Sequence, residues 1–317
     1  MKKFLKYGAG LLLAALLILG LTCGLCEETA TSTSMATGTE GEPVTEVKFS
    51  GLTFKSDAEY IDLGDVIVKD YDAFIAFLDK MPNLKQVDMY STRIERANID
   101  KLGERYPNMR WGWTMVLKNK DHKHLIRTDA TAWSTLHNNK SKTHTSDDFS
   151  ILKYCWQLKA LDVGHNNVTS LDFLYDLPEL RVLIVACNHV SDITPVGSLQ
   201  YLEYAELFKN NITDISALAN LPNIIDLNIC FNRISDWDPL LGLTTLKRLW
   251  IYNSNNYSTK DPINPAITAK LKAALPDTEV DSKHYSTAGT WRKTAHYDVI
   301  YQMFKTGTYI PFEDSRN

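Results

Sequence analysis

Leu158, Leu180, Leu202, Ile224 and Leu246 follow one another at intervals of 22 residues, and so do Leu161, Leu183, Ala205, Leu227 and Leu249. A third column, Val163, Val185, Leu207, Ile229 and Ile251, keeps the same phase. Such a period leaves few folds open, because each unit is too small to bury its apolar side alone and must stack on its neighbours. The alternation within each unit predicts a short strand, and strands repeated at fixed register predict a parallel sheet with one face covered by the rest of each coil.

A fourth column, Asn166, Asn188, Asn210 and Asn232, ends at Ser254, and Val168, Val190, Ile212 and Ile234 follow two places later. An asparagine there turns the chain inside the solenoid and offers its amide to backbone groups of adjacent coils that burial would otherwise leave unpaired. Leu171, Leu174 and Leu177, with their equivalents Ile193, Val196 and Leu199, recur every third residue. That spacing predicts a tight helical return on the convex side. Phe149, Leu152 and Cys155 fill the same places one repeat earlier, which makes Cys155 a small core side chain.

Upstream the template persists with irregular spacing. Leu84, Val87, Met89 and Ile94 follow it with Thr92 in the asparagine place, Ile61, Leu63 and Val68 lie about one repeat before, and residues 106–139 read as further strand-like coils with an insertion. Downstream the period stops. A helix over 266–275 is ended by Pro276, and a second over 294–304 puts Tyr297, Ile300, Tyr301 and Phe304 on one face. The last coil needs a cover, so residues 257–317 are expected to form a cap.

The pattern L-x-x-L-x-L-x-x-N-x-L is that of leucine-rich repeats. The runs LKALDVGHNNVTSLDFLYDLP, LEYAELFKNNITDISALANLP and IIDLNICFNRISDWDPL resemble the internalin-like, 22-residue class of exported bacterial leucine-rich-repeat proteins. The resemblance implies an α/β solenoid, a horseshoe with a parallel concave β-sheet, irregular N-terminal coils and a partly helical C-terminal cap. It also implies an exported protein that recognises other proteins or glycans. The implied organisation is a signal peptide at 1–26, a Thr/Ser-rich linker at 27–45, degenerate repeats at 46–148, regular repeats at 149–256 and the cap at 257–317.

The N-terminus fits export. Lys2, Lys3 and Lys6 precede an uncharged stretch that lasts until Glu27. Gly24 and Cys26 suit cleavage before Glu27, Cys23 offers lipid anchoring although Gly20-Leu21-Thr22 is a poor acylation context, and a retained membrane helix is the third possibility. Cleavage would remove three lysines and no acid, taking the formal charge from −4 to −7. That balance excludes a phosphate-backbone binder, so no nucleic-acid partner is expected, and a membrane only through the leader or Cys23. Residues 27–45 carry almost no large apolar side chain and read as a flexible tether.

Side chains flanking the inward positions should face the concave surface. On its C-terminal half these are Tyr204, Glu206, Phe208, Lys209, Asp226, Phe231, Arg248, Trp250 and Tyr252. Aromatics grouped with arginine are the material of binding hot spots, and this cluster is the expected ligand site. The competing reading is that some of them, Trp250 and Tyr252 above all, pack beneath the cap. An enzyme is not expected, nor a cofactor or a metal. The alternatives are a metal-dependent or hydrolytic centre built on His122, His124, His137, His144 and His165, or a structural surface-layer component. Past the leader, no CxxC, HExxH or phosphate-loop motif supports the first.

Overall fold

The computed structural model describes residues 43–118, 123–135, 144–252, 263–284 and 291–311. The leader with Cys23, nearly all of the tether, His122, His137 and Ser254 lie outside the described residues. Among the described residues no helix is long and apolar enough to cross a membrane.

The chain opens on a hairpin of β1 (Glu46–Phe49) and β2 (Leu52–Lys55), followed by β3 (Tyr60–Asp62), α1 (Tyr71–Leu78), β4 (Gln86–Glu95), α2 (Arg96–Arg105), β5 (Arg110–Lys118) and β6 (Lys123–Arg127). Strands β3, β4 and β5 pair in parallel, and β6 closes this four-stranded sheet antiparallel to β5. Asp70 starts α1 by accepting from the backbone N–H groups of Asp72 and Ala73. The irregular coils thus return through α-helices, where a longer spacing between strands leaves room for them. Thr92, buried at 1% exposure, accepts from Val68 N at 2.9 Å, doing for this part what the asparagines do further on.

The regular array comprises β7 (Ala132–Ser134), β8 (Ala160–Asp162), β9 (Val182–Ile184), β10 (Tyr204–Glu206), β11 (Asp226–Asn228), β12 (Arg248–Trp250) and, beyond α3 (Pro265–Ala274), β13 (Glu279–Asp281). All seven form one parallel sheet in chain order. Leu161, Leu183, Ala205, Leu227 and Leu249 stand side by side in register and are fully buried. Strands β7 and β13 lie outside the span 149–256, so the parallel sheet reaches further in both directions than the strict period indicates.

The five returns between β7 and β12 are 3-10 turns, at 147–154, 172–176, 194–198, 216–220 and 238–240. Asp192, Asp214 and Asp236 open three of them, each accepting from the backbone N–H two residues on at 2.8 to 2.9 Å. The Thr194 hydroxyl together with its N–H holds the Asp192 carboxyl below its ordinary range, and the Ser216 N–H and hydroxyl do the same for Asp214. The asparagines bridge coils. Asn188 Oδ1 accepts from Asn166 N (3.1 Å) and Val168 N (3.0 Å), and its Nδ2 donates to the carbonyls of Val163 and Val185. Asn210 and Asn232 repeat the arrangement one and two coils later.

Just before each asparagine the chain passes through the left-handed region, at His165, Cys187, Lys209 and Phe231, with φ between 55° and 60°. None is glycine. Repeat geometry holds four ordinary side chains where an isolated chain would favour glycine.

Candidate binding face

Helix α4 spans Ala295–Thr306, with Thr294 capping its start through Tyr297 N and Gly307, at φ 71°, ending it. It does not cover the end of the solenoid. From Trp291 the chain runs across the concave face of the sheet, beginning over β10 to β12 and finishing at β7, where Gly307 O accepts from Ala132 N (3.3 Å) and Thr131 Oγ1 accepts from Tyr309 N (2.8 Å). A second apolar core forms between sheet and helix, from Ala132, Ala160, Val182, Ile184 and Tyr204 on one side and Trp291, Ile300 and Met303 on the other. The buried face of α4 is His296, Ile300 and Met303, while Tyr301, expected on that face, is 47% exposed.

This placement corrects the expected ligand site. Tyr204, Glu206 and Asp226 are fully buried, and Trp250, Arg248 and Tyr252 keep 3, 5 and 9% exposure. They pack under the C-terminal segment instead of facing solvent, as the competing reading had it for Trp250 and Tyr252. Phe208 and Phe231 are half-buried and Lys209 is exposed.

The covered residues form two charged nodes. Arg292 grips Glu206 with two nitrogens, Nε at 3.1 Å from Oε1 and the other on Oε2. Tyr204 donates its hydroxyl to the same carboxylate, and Trp291 Nε1 lies 2.7 Å from the Tyr204 oxygen. Burial and the nearby Glu206 carboxylate push the Tyr204 hydroxyl well above its ordinary range. Burial works against the charge on Arg292, and Glu206 overrides it, holding that guanidinium above its usual value. In the second node His296 Nδ1 and Arg248 approach Asp226 Oδ2 at 2.6 and 3.3 Å. Arg248 also donates to Trp291 O at 2.9 Å and stacks 3.7 Å above its ring. Two buried acids of the sheet are thus matched by cations from the segment and from the neighbouring strand, which is the condition for carrying charge inside.

Trp291, Arg292 and His296 escaped the sequence reading. Their only signal is a Trp-Arg pair just ahead of an amphipathic stretch, and its target lies 85 residues or so earlier in the chain.

Along the C-terminal ends of the strands a ring row runs Phe208, Phe231, Tyr252, with centroids 5.4 and 5.6 Å apart. Of the histidines, the rings of His124 and His144 lie 5.1 Å apart, His144 is fully buried and His165 is exposed at the end of its strand. Among the described residues no group of three or more metal-ligating side chains converges. Cys155, Cys187 and Cys230 are buried.

A family model described as leucine-rich repeats, two copies, matches residues 156–198. No curated protein matches the chain. Among solved structures it is similar to an internalin (inlF) of Listeria monocytogenes, at 21% identity over 67% of this chain and 50% of that one, with a TM-score of 0.37. Internalin C2 of the same organism gives 18%, 70%, 80% and 0.33, and a leucine-rich-repeat protein of Leptospira interrogans 17%, 65%, 56% and 0.39. This chain spans half the length of the first and little more than half of the third, and at such identities the likeness says nothing of a partner.

Proposed function

We propose that the protein is an exported recognition module that holds a protein or glycan partner on the concave side of its leucine-rich-repeat solenoid and carries no catalytic centre. The observation that supports this is the row Phe208, Phe231 and Tyr252 with Lys209 beside it. In the same two columns the preceding coils carry Gly164, Ala186, His165 and Cys187, so the fold itself does not require large aromatics at these places. The half-buried rings of Phe208 and Phe231, backed by the buried Tyr252 and flanked by exposed Lys209, suit a contact surface, which buries aromatic area at low entropy cost. Tyr204, Glu206, Asp226, Arg248 and Trp250 then act from beneath, as the packed support that keeps the row rigid.

The full chain and a Phe208→Ala, Phe231→Ala variant of equal melting temperature are compared in capture from bacterial and host surface extracts and on a glycan array. Capture by the parent and its loss by tenfold or more in the variant is the expected outcome. Equal capture would move the site elsewhere, and no capture by either chain would count against recognition.

A further inference from the structure

The concave side is filled by α4 only as far as β7. Beyond it, between the N-terminal sheet and the end of α4, a cleft of about 660 Å3 stays open. This size suits a ligand of two or three sugar rings. Its floor is a row in register across three strands, Arg93 of β4, Thr114 of β5 and Arg127 of β6. Their neighbours Ile94, Met115 and Ile126 are buried on the opposite face, so the row stands toward the cleft by simple alternation. The register shift between Met89 and Arg93 sets this alignment.

The cleft is shaped by a close approach. A Cβ on Gly112 would lie 2.2 Å from Asp88 Oδ1 and 2.8 Å from Tyr90 Cζ, so only glycine lets the Asp88 carboxylate and the Tyr90 ring lie against the strand. Arg127 covers that ring at 4.0 Å and is engaged by both oxygens of Asp129 at 2.9 and 2.7 Å. The lining therefore carries two guanidiniums and one carboxylate. Arg127 is spoken for, and exposed Arg93 has no carboxylate within ion-pair distance among the described residues. Hydroxyls stand on both walls, from Ser91 and Thr114 on the sheet side and Thr306 and Thr308 on the helix side, Thr114 already donating to Tyr90 O at 2.7 Å and Thr306 to Gln302 O at 2.8 Å, with Leu125, 39% exposed, as an apolar patch.

We propose that this cleft binds an acidic saccharide, its carboxylate on Arg93, its hydroxyls on the threonine and serine side chains and one ring face on Leu125. One uncompensated guanidinium calls for one anionic group, and a charge-assisted bond to a carboxylate is the strong form of that contact. Ser91 and Thr308 can donate and accept, while Thr114 and Thr306, whose protons go to backbone carbonyls, still accept, a mixture that matches the hydroxyls of a sugar. A peptide carboxylate would satisfy Arg93 but leave the Ser91 and Thr308 hydroxyls, one on each wall, to water. The proposal rests on the reading of the chain as a recognition module, while using a different part of the concave side.

Titration calorimetry of the full chain with galacturonate, glucuronate and N-acetylneuraminate trisaccharides, their methyl esters and a tripeptide with a free carboxylate tests this. Binding of at least one acidic trisaccharide is expected. It should weaken tenfold or more on esterification and in Arg93→Gln, whose exposed position leaves the melting temperature unchanged. It should also weaken in Gly112→Ala, which displaces Tyr90 without touching the ligand, and persist in Phe208→Ala, Phe231→Ala. Failure of every acidic trisaccharide, equal binding of an ester, indifference to Arg93→Gln, or a preference for the tripeptide would each overturn it. Capture of a partner through the Phe208 row could survive any of these results, so the two readings fail separately.

Discussion

Asp162 occupies a concave position whose counterparts in the next coils are Ile184 and Glu206, and it is 4% exposed. Its Oδ1 accepts from Gly164 N at 2.9 Å and its Oδ2 from Ser134 Oγ at 3.2 Å. Burial pushes its carboxyl up to about 7, against the opposing pull of the Arg292 charge and the Gly164 N–H. An unfolded aspartate titrates near ~3.9, so the folded chain holds this proton the more tightly. The sign follows: the contribution to stability is complete below about pH 4 and is lost as pH rises through about 7. Asparagine keeps the acceptor and does not ionise. In urea titrations at pH 4.5 and 7.5, Asp162→Asn should therefore gain on the parent at the higher pH, by up to a few kcal/mol at about 1.4 kcal/mol per unit of pKa difference. The same pH slope in both proteins would show that Asp162 is not the titrating group.

Between Trp291 and Tyr309 the chain binds its own sheet as a partner would. An apolar helix face supplies area, and a few polar contacts fix its position. The Arg292–Glu206 pair is the contact whose removal is most informative. Glu206 is wholly buried, so Arg292→Ala leaves a carboxylate in the interior with its main cation gone, at a cost of about 3–5 kcal/mol. Adding Glu206→Gln removes the stranded charge and should recover a large part of that loss, as read by chemical denaturation. If the double variant were as unstable as the single one, the loss would come from packing and not from charge. Ion pairs such as Lys85–Glu59, more than 60% exposed at both side chains, have no comparable effect.

A repeat array normally unfolds from its ends, since each coil touches only its neighbours. Here the C-terminal segment joins the surroundings of β12 to β7 directly, through Trp291 at one end and the backbone of Gly307 at the other. The contact converts a one-dimensional stack into a closed unit. Native-state hydrogen exchange should therefore find the amides of β8 to β11 protected to a similar degree. In Arg292→Ala the same amides should show a gradient from the ends inward. A gradient already present in the parent would mean that the segment adds no cooperativity.

Leu161, Leu183, Leu227 and Asn188 announce their neighbours through spacing alone, because in a stack of equal coils sequence distance is spatial position. So the solenoid, its parallel sheet, its 3-10 returns and its asparagine bridges were all determined by the sequence itself. Even Thr92 could be placed, as a hydroxyl at an asparagine position. The N-terminal helices α1 and α2 were less legible, since variable coil lengths remove the common phase. What only the tertiary structure decided is the fate of the concave face. Strand alternation tells which side chains leave the sheet, and it cannot tell whether solvent or another segment meets them. That depends on where a chain some 85 residues away returns, and for this contact no period exists. The open cleft beside Arg93 was invisible for the same reason, as its walls come from four separate stretches that meet only when the concave side closes.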